Sequence, residues 1–520
     1  MKSKIIIANN IKLDKNYNNV IDYTEEKMLN LIVNNKIASA DDYSFIRTNN
    51  NSISVSFKYN DCIKCNYLAF QNKDYSNKWF FAWIDDVIYK GDKTTEIIYT
   101  IDVWSTWFKT LILCECFVER EHTNNDSIGF NIVPEDINTG ELIVEKYNKY
   151  DMGGTEYSPY SVVISSTMYL KGELKGSKNV LIQRYKGCYT PNLWYLIKNT
   201  NDLMIFSNNL NDIENFNDIF RDVTKGINSI FAIPSKIAEE ITIDEDSKIM
   251  SSETQPYIDI FKLEKITEFS DYKPKNNKLL TSPFCYLRLT NLQGQYINLN
   301  YELFNNNIEF KIIGMLTENG CDIICIPQNY CNIENNYESS IPCGKYPSIS
   351  WASDTFKQWI TQNATNTLGS LITSGIGLLA NQPFLTYSGV SGTLSNLTTS
   401  FINNANTPNN INGLNTSGDV LSTFRENTFH FYCMRPKTEN LKIIDDYFSK
   451  YGYKTNLIKI PNISGRENFN YVKIGDKNSA VFGNIPMKYI DKINNILING
   501  VTIWHNHNNI GNYDISNNII

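Results

Sequence analysis

The sequence predicts a mainly β, multidomain subunit with α+β parts: small barrel or sandwich domains followed by a C-terminal α+β sandwich. Three observations carry that expectation. Tyr (32) and Phe (26) are abundant, a bias toward strands. Apolar residues alternate with period two in several stretches, whereas helical spacing recurs in few. The 520 residues also exceed what one core ordinarily holds, so two to four packed domains are expected.

Residues 1–150 read as an N-terminal β-rich domain. Asp61 to Phe70 is strand-like. Lys78 to Tyr89 is a long apolar run with a turn after it at Lys90–Lys93, and Ile97, Tyr99, Ile101 and Val103 then alternate with the opposite face. That is the pattern of a hairpin. Glu119, Arg120, Glu121 and His122 alternate after Phe117, as on a strand edge whose salt bridge would fix a subunit contact. A peripheral β/α domain is expected over 151–280, with a strand at Ser161–Ser166. It also holds a helix whose core-facing stripe is Ile213, Phe216, Phe220, Val223, Ile227 and Ile230. Residues 281–357 return to short strands, at Cys285–Leu289 and Ile308–Ile313. In 426–520, Leu441, Ile444, Tyr447, Phe448 and Tyr451 share one helical face, and Gly452 suits its end. Strands follow at Lys454–Ile460 and Tyr471–Ile474, then a helix from Pro486 to Ile498 and a strand Val501–Trp504, an α-β-β-α-β order.

Composition narrows the chemistry. A net charge of −7 without a dense Lys/Arg cluster argues against gripping duplex DNA. The N-terminal apolar run is too short for a secretory signal, and no stretch of about 18 apolar residues encodes an ordinary transmembrane helix. Cys62-x-x-Cys65 has zinc half-site spacing and Cys114-x-Cys116 would place two thiols on one strand face, but the second knuckle is missing. Reduced, mostly buried thiols are expected there, and also for Cys321, Cys325, Cys331 and Cys343 in a turn-rich region. His505 and His507 would share a strand face with no acidic or thiol partner nearby in the sequence. No Walker loop, Gly-x-Ser-x-Gly elbow or His-Glu-x-x-His is present, so no cofactor, metal or catalytic residue is expected.

One segment departs from this pattern. From 358 to 418 there is no Asp, Glu, Lys or Arg, although 20% of the chain is charged. Its candidate membrane-facing residues are Leu368, Leu371, Ile372, Ile376, Leu378, Leu379, Phe384, Leu385, Val390, Leu394, Leu397 and Phe401. Gly369, Gly375, Gly377, Gly389 and Gly392 supply flexibility. The 13 residues of Leu368–Ala380 would reach about 20 Å as a helix, and the 19 of Phe384–Ile402 about 28 Å, against a hydrocarbon thickness near 30 Å. Neither is apolar enough to span alone. Charge, at roughly 2.5–3.5 kcal/mol per residue at mid-bilayer, is the most expensive thing to place in lipid, and charge is what is missing. Linker, core and conditional membrane segment (about 358–425) all remain open on composition.

Several blocks resemble the tail knob proteins of small short-tailed phages of Gram-positive bacteria, the Salasmaviridae and Rountreeviridae. They are Tyr67–Phe80, Ile101–Trp107, Phe117–His122, Ser282–Tyr286, Lys450–Lys454, Pro461–Arg466, Phe469–Val472, Asn499–His505 and Asn509–Tyr513, in family order across nearly the whole chain. The resemblance implies a homohexameric distal tail tube in the virion, assembled in the host cytoplasm. Six loops at the place of 358–425 would plug the tube, then enter host cytoplasmic membrane lipids and form a pore. It implies as partners the proximal tail tube or lower collar protein, tail spikes or a tip protein, and viral double-stranded DNA in transit without sequence specificity. A tail adhesin or cell-wall-degrading tail protein is the alternative.

Overall fold

A computed structural model describes residues 3–43, 51–71, 76–152, 160–167, 183–198, 202, 205–206, 227–292, 296–318, 320–330, 348–352, 428–475 and 480–520. The chain divides into two compact units, each assembled from distant segments. The first comprises 1–141, 271–283 and 436–520; the second comprises 142–270 and 284–435.

The first unit holds a six-stranded sheet in the order Lys36–Tyr43, Ser3–Ala8, Tyr67–Gln71, Trp79–Gly91, Thr94–Ile101, Ser52–Val55. The expected hairpin forms its centre, and Ile97, Tyr99 and Ile101 are buried as their alternation requires. The alternation stops before Val103. Asp102 caps a helix Val103–Trp107, its carboxylate accepting from Ser105 N at 3.1 Å and from the Tyr67 hydroxyl at 2.7 Å, so Val103 is helical. The run Asp61–Phe70 is likewise split. Cys62 ends a helical turn, Tyr59–Cys62, and the strand begins only at Tyr67.

A five-stranded sheet in this unit has the order Asn19–Ile21, Val501–Trp504, Phe469–Ile474, Cys116–Glu121, Tyr453–Lys459, beside a two-stranded pair of Ile112–Leu113 and Val481–Phe482. Asn19–Ile21 runs parallel to Val501–Trp504, so residues near both ends of the chain share one sheet. The α-β-β-α-β order forms, with helices Thr438–Tyr451 and Met487–Asn499. Leu441, Ile444 and Phe448 are buried, while Tyr447 at the margin of the same stripe is exposed. Gly452 ends the first helix at φ +65°, where a Cβ would lie 2.1 Å from Glu121 O, so only glycine fits.

The second unit has two four-stranded sheets. One is ordered Leu142–Asp151, Thr428–Pro436, Tyr286–Thr290, Tyr296–Asn300; the other is ordered Tyr257–Leu263, Phe304–Thr317, Gly320–Tyr330, Ser348–Ala352. They pack face to face through aromatic rings: Phe431 of the first lies 5.0 Å from Phe261 and 4.7 Å from Phe310 of the second, between centroids. A three-stranded sheet, Leu193–Ile197, Tyr160–Ser166 and Ile227–Pro234, lies in the same unit. Ile227 and Ile230 therefore belong to a strand and not to a helix. The run Ile-Asn-Ser-Ile-Phe-Ala-Ile is β-branched and aromatic, and pairing with Tyr160–Ser166 satisfies its backbone. Ile213, Phe216, Phe220 and Val223 lie outside the described residues. Cys321 and Cys325 are buried in the strand Gly320–Tyr330, not in turns, and Cys331 and Cys343 lie outside the described residues.

Candidate functional site

A cluster of charged side chains in the first unit surrounds Arg120. Its strand, Cys116–Glu121, lies between Phe469–Ile474 and Tyr453–Lys459, so the charged quartet sits inside a sheet and not on an edge. Arg120 pairs with Glu135 and donates to Gly452 O at 2.7 Å. Glu135 also accepts from Lys278 Nζ at 2.9 Å and from Lys454 N at 2.8 Å, and both the Glu135 and Lys278 side chains are 1% exposed. Burial lowers the Lys278 pKa against the pull of Glu135. Beside them Asp445 accepts from Asn276 N at 3.1 Å, Lys275 N at 2.8 Å and the Tyr272 hydroxyl at 2.6 Å. Asp126 accepts from Asn277 N at 3.0 Å and from the Tyr453 hydroxyl. Glu119 and Glu121 pair with Lys473 and Lys459.

His122 is the buried end of this cluster. Its Nδ1 accepts from Tyr471 N at 2.7 Å, which leaves Nε2–H to donate to Ser449 O at 3.1 Å. Burial, reinforced by Arg466, pushes its pKa down to about 3. With both ring nitrogens committed to backbone and the proton held off, His122 is built as a neutral structural bridge. The cluster ties 271–283 and the helix Thr438–Tyr451 to 120–135. Its groups meet one another, which is how a framework is fixed.

The other expected chemistry disperses. His505 and His507 follow the strand Val501–Trp504, and His507 begins a 3₁₀ turn, so they do not share a strand face. His505 lies 3.1 Å from Asn470 Oδ1 and 3.7 Å from Asp22 Oδ2, an acidic neighbour hidden by sequence distance. His507 Nε2 accepts from Lys12 N at 3.0 Å. Cys62, Cys65 and Cys116 are buried free thiols; Cys114 precedes the strand that holds Cys116. Among the described residues no group of three or more His, Cys, Asp or Glu could hold a metal.

The charge-free segment itself, with Leu368, Leu371, Ile372, Ile376, Leu378, Leu379, Phe384, Leu385, Val390, Leu394, Leu397, Phe401 and Gly369, Gly375, Gly377, Gly389 and Gly392, lies outside the described residues. Its two attachments are described. The chain leaves one sheet of the second unit at Ala352 and re-enters the other at Thr428. The re-entry strand is an interior one, bonded to Tyr286–Thr290 in unbroken register from Tyr286↔Met434 to Thr290↔His430. Phe429, Phe431 and Cys433 are buried, and at the strand's far end Arg435 forms a buried ion pair with Glu145 over the Phe269 ring. No helix among the described residues is long and apolar enough to cross a membrane.

With this geometry in place, likeness to known proteins is decisive. Residues 248–518 match the family described as Bacillus phage phi29, tail knob protein gp9, C-terminal domain. The chain belongs to the phi29-type tail knob family. Residues 1–111 also match the Caudoviral major tail protein N-terminus. The tail knob protein gp9 of Bacillus phage PZA is 25% identical over 91% of this chain and 90% of its own length, and that of Bacillus phage phi29 is 23% identical with the same coverage. The tail knob protein gp12 of bacteriophage C1 shares the fold, with a TM-score of 0.61 at 14% identity over 100% of both chains. The tail knob chain described here is thus a β-rich component of the virion tail. The charge-free segment falls inside the matched range 248–518.

Proposed function

We propose that this tail knob protein is a non-enzymatic homohexameric end of the tail tube, through which the genome is ejected. Its segment 358–425 closes the tube before infection, then enters the host cell membrane and opens a pore. The observation that carries the reading is the absence of any charged side chain from 358 to 418 in a chain that is 20% charged. Such a segment can leave water without the largest desolvation cost. Its polar Ser, Thr and Asn residues suit a wet lumen lined by several copies.

The anchoring supports the same reading. A segment that moves between tube and bilayer needs fixed ends, and the buried re-entry strand Thr428–Pro436 provides one. Copy number matters as well. One segment with scattered apolar anchors binds lipid weakly, whereas six held on one rim act as a multivalent set. The proximal tube or collar above, spikes or a tip protein around it, and DNA sliding without sequence preference are the partners this arrangement calls for.

Dye release from liposomes by the assembled protein, with and without residues 358–418, tests the membrane step. The full chain is expected to release dye and the deletion to lose release while keeping its sedimentation. Equal release by both would sink the membrane role. Sedimentation of the full chain only as a monomer under native conditions would sink the tube.

A further inference from the structure

The outer face of the second unit's sheet carries a group of side chains that the tube and the pore leave unused. The facing pairs Tyr286↔Asn300, Arg288↔Asn298 and Thr290↔Tyr296 put Tyr286, Arg288, Tyr296, Asn298 and Asn300 on the side opposite the buried Leu287, Leu289 and Leu299. Tyr296–Asn300 is the last strand of its sheet, so Tyr296 and Asn298 lie exposed at a rim, while Tyr286 and Thr290 on the inner strand are buried and Arg288 between them is half-buried. Tyr296 is 61% exposed.

The guanidinium at its centre is held in place. Arg288 Nε donates to Asn298 Oδ1 at 3.0 Å, and Nη2 donates to the Tyr286 hydroxyl at 3.3 Å. Its Cζ lies 5.0 Å from the Tyr296 ring centroid and 5.8 Å from that of Tyr286. Two of five N–H groups are thereby used, and among the described residues no carboxylate pairs with Arg288. A fixed, unneutralised guanidinium fork suits an oxyanion bound through two oxygens. An exposed flat ring beside it suits the C–H face of a sugar, and the amides of Asn298 and Asn300 suit hydroxyl groups.

The geometry points to a subsite on the Tyr286–Thr290 and Tyr296–Asn300 strands for an anionic saccharide, a chain of sugar units bearing carboxylate or phosphate. Charge complementarity favours that occupant over a nucleic acid. The subsite offers one cation in a chain of net charge −7, whereas phosphate-backbone binding draws on several cations along a track. One anion and one stacked ring per repeat match what the five residues provide.

The test uses the full chain and labelled probes of three kinds: an oligogalacturonate, a glycosylated polyglycerol phosphate, and a DNA duplex of about 20 base pairs with its single strand. Affinity is measured by fluorescence anisotropy for the wild type, R288Q, Y296A and, as an exposed control, Y89A. One or both saccharides should bind, with R288Q and Y296A each weakening binding about ten-fold, equivalent to about 1.4 kcal/mol, and Y89A leaving it unchanged. Oligogalacturonate alone would assign carboxylate recognition; polyglycerol phosphate alone would assign phosphate recognition. The inference is overturned if neither saccharide binds at millimolar concentration. Saccharide binding that R288Q and Y296A leave intact, or DNA binding that matches the saccharides and falls with R288Q, would also overturn it. Far-ultraviolet circular dichroism shows that the variants are folded, so loss of affinity is read as loss of the subsite. Dye release does not depend on this face and should be the same in R288Q and the wild type.

Discussion

Lowering the pH should weaken the first unit through His122 in particular. An unfolded histidine takes up its proton near pH 6.5. In the folded chain His122 does so only at about 3, because burial and Arg466 oppose the charge. Between those values the unfolded state binds more protons, so stability is fully present above about pH 6.5 and is lost progressively as the pH falls toward about 3. From pH 7.5, where the unfolded imidazole is nearly all neutral, down to pH 4.5 the loss approaches two pH units at about 1.36 kcal/mol each, or about 2.7 kcal/mol. Carboxylates titrate in the same range, so the useful quantity is a difference. Substituting H122Q removes the titration while keeping an amide that can bond to backbone. Urea unfolding followed by tryptophan fluorescence, at pH steps from 7.5 to 4.5, gives stability for both proteins. The wild-type advantage at pH 7.5 should shrink by about 2 to 3 kcal/mol by pH 4.5. Parallel stability curves for the two proteins across that range would refute the reasoning, because they would mean that His122 protonates equally easily folded and unfolded.

The Glu135 cluster predicts an asymmetry. E135Q leaves Arg120 and Lys278 buried without their carboxylate and should cost about 3–5 kcal/mol in urea unfolding. K278M leaves Glu135 with Arg120 and the Lys454 amide and should cost about 1–3 kcal/mol; a larger loss for K278M than for E135Q would contradict this arrangement. G452A puts a Cβ 2.1 Å from Glu121 O in a conformation that only glycine tolerates. About 3 kcal/mol or more should be lost in calorimetric unfolding, and a near-neutral result would mean that the helix end relaxes easily.

Legibility in the sequence followed how local the deciding interaction is. The hairpin around Lys90–Lys93 and the helix ending at Gly452 were readable because period and turn chemistry lie within a dozen residues. Val103 was misread because strand alternation says nothing of Asp102, whose capping oxygen outweighs the pattern. Ile227 and Ile230 were misread as a helical stripe because their strand partner, Tyr160–Ser166, is some 65 residues away in sequence. Distance also hid the framework. Glu135 meets Lys278 and Arg120, Asp445 meets Asn276, and Asp22 meets His505, pairings brought together by a chain that crosses four times between its units. The charge-free segment behaves in the opposite way. Its signal is an absence over about sixty residues, legible from composition alone, and it needs no partner to be noticed. The physics of the two parts differs accordingly. The framework holds its charges by burying them in pairs, at a desolvation cost that only exact neighbours offset. Under the proposed function the segment exchanges water for lipid and has no permanent neighbours to offer, so dispensing with charge is the solution open to it.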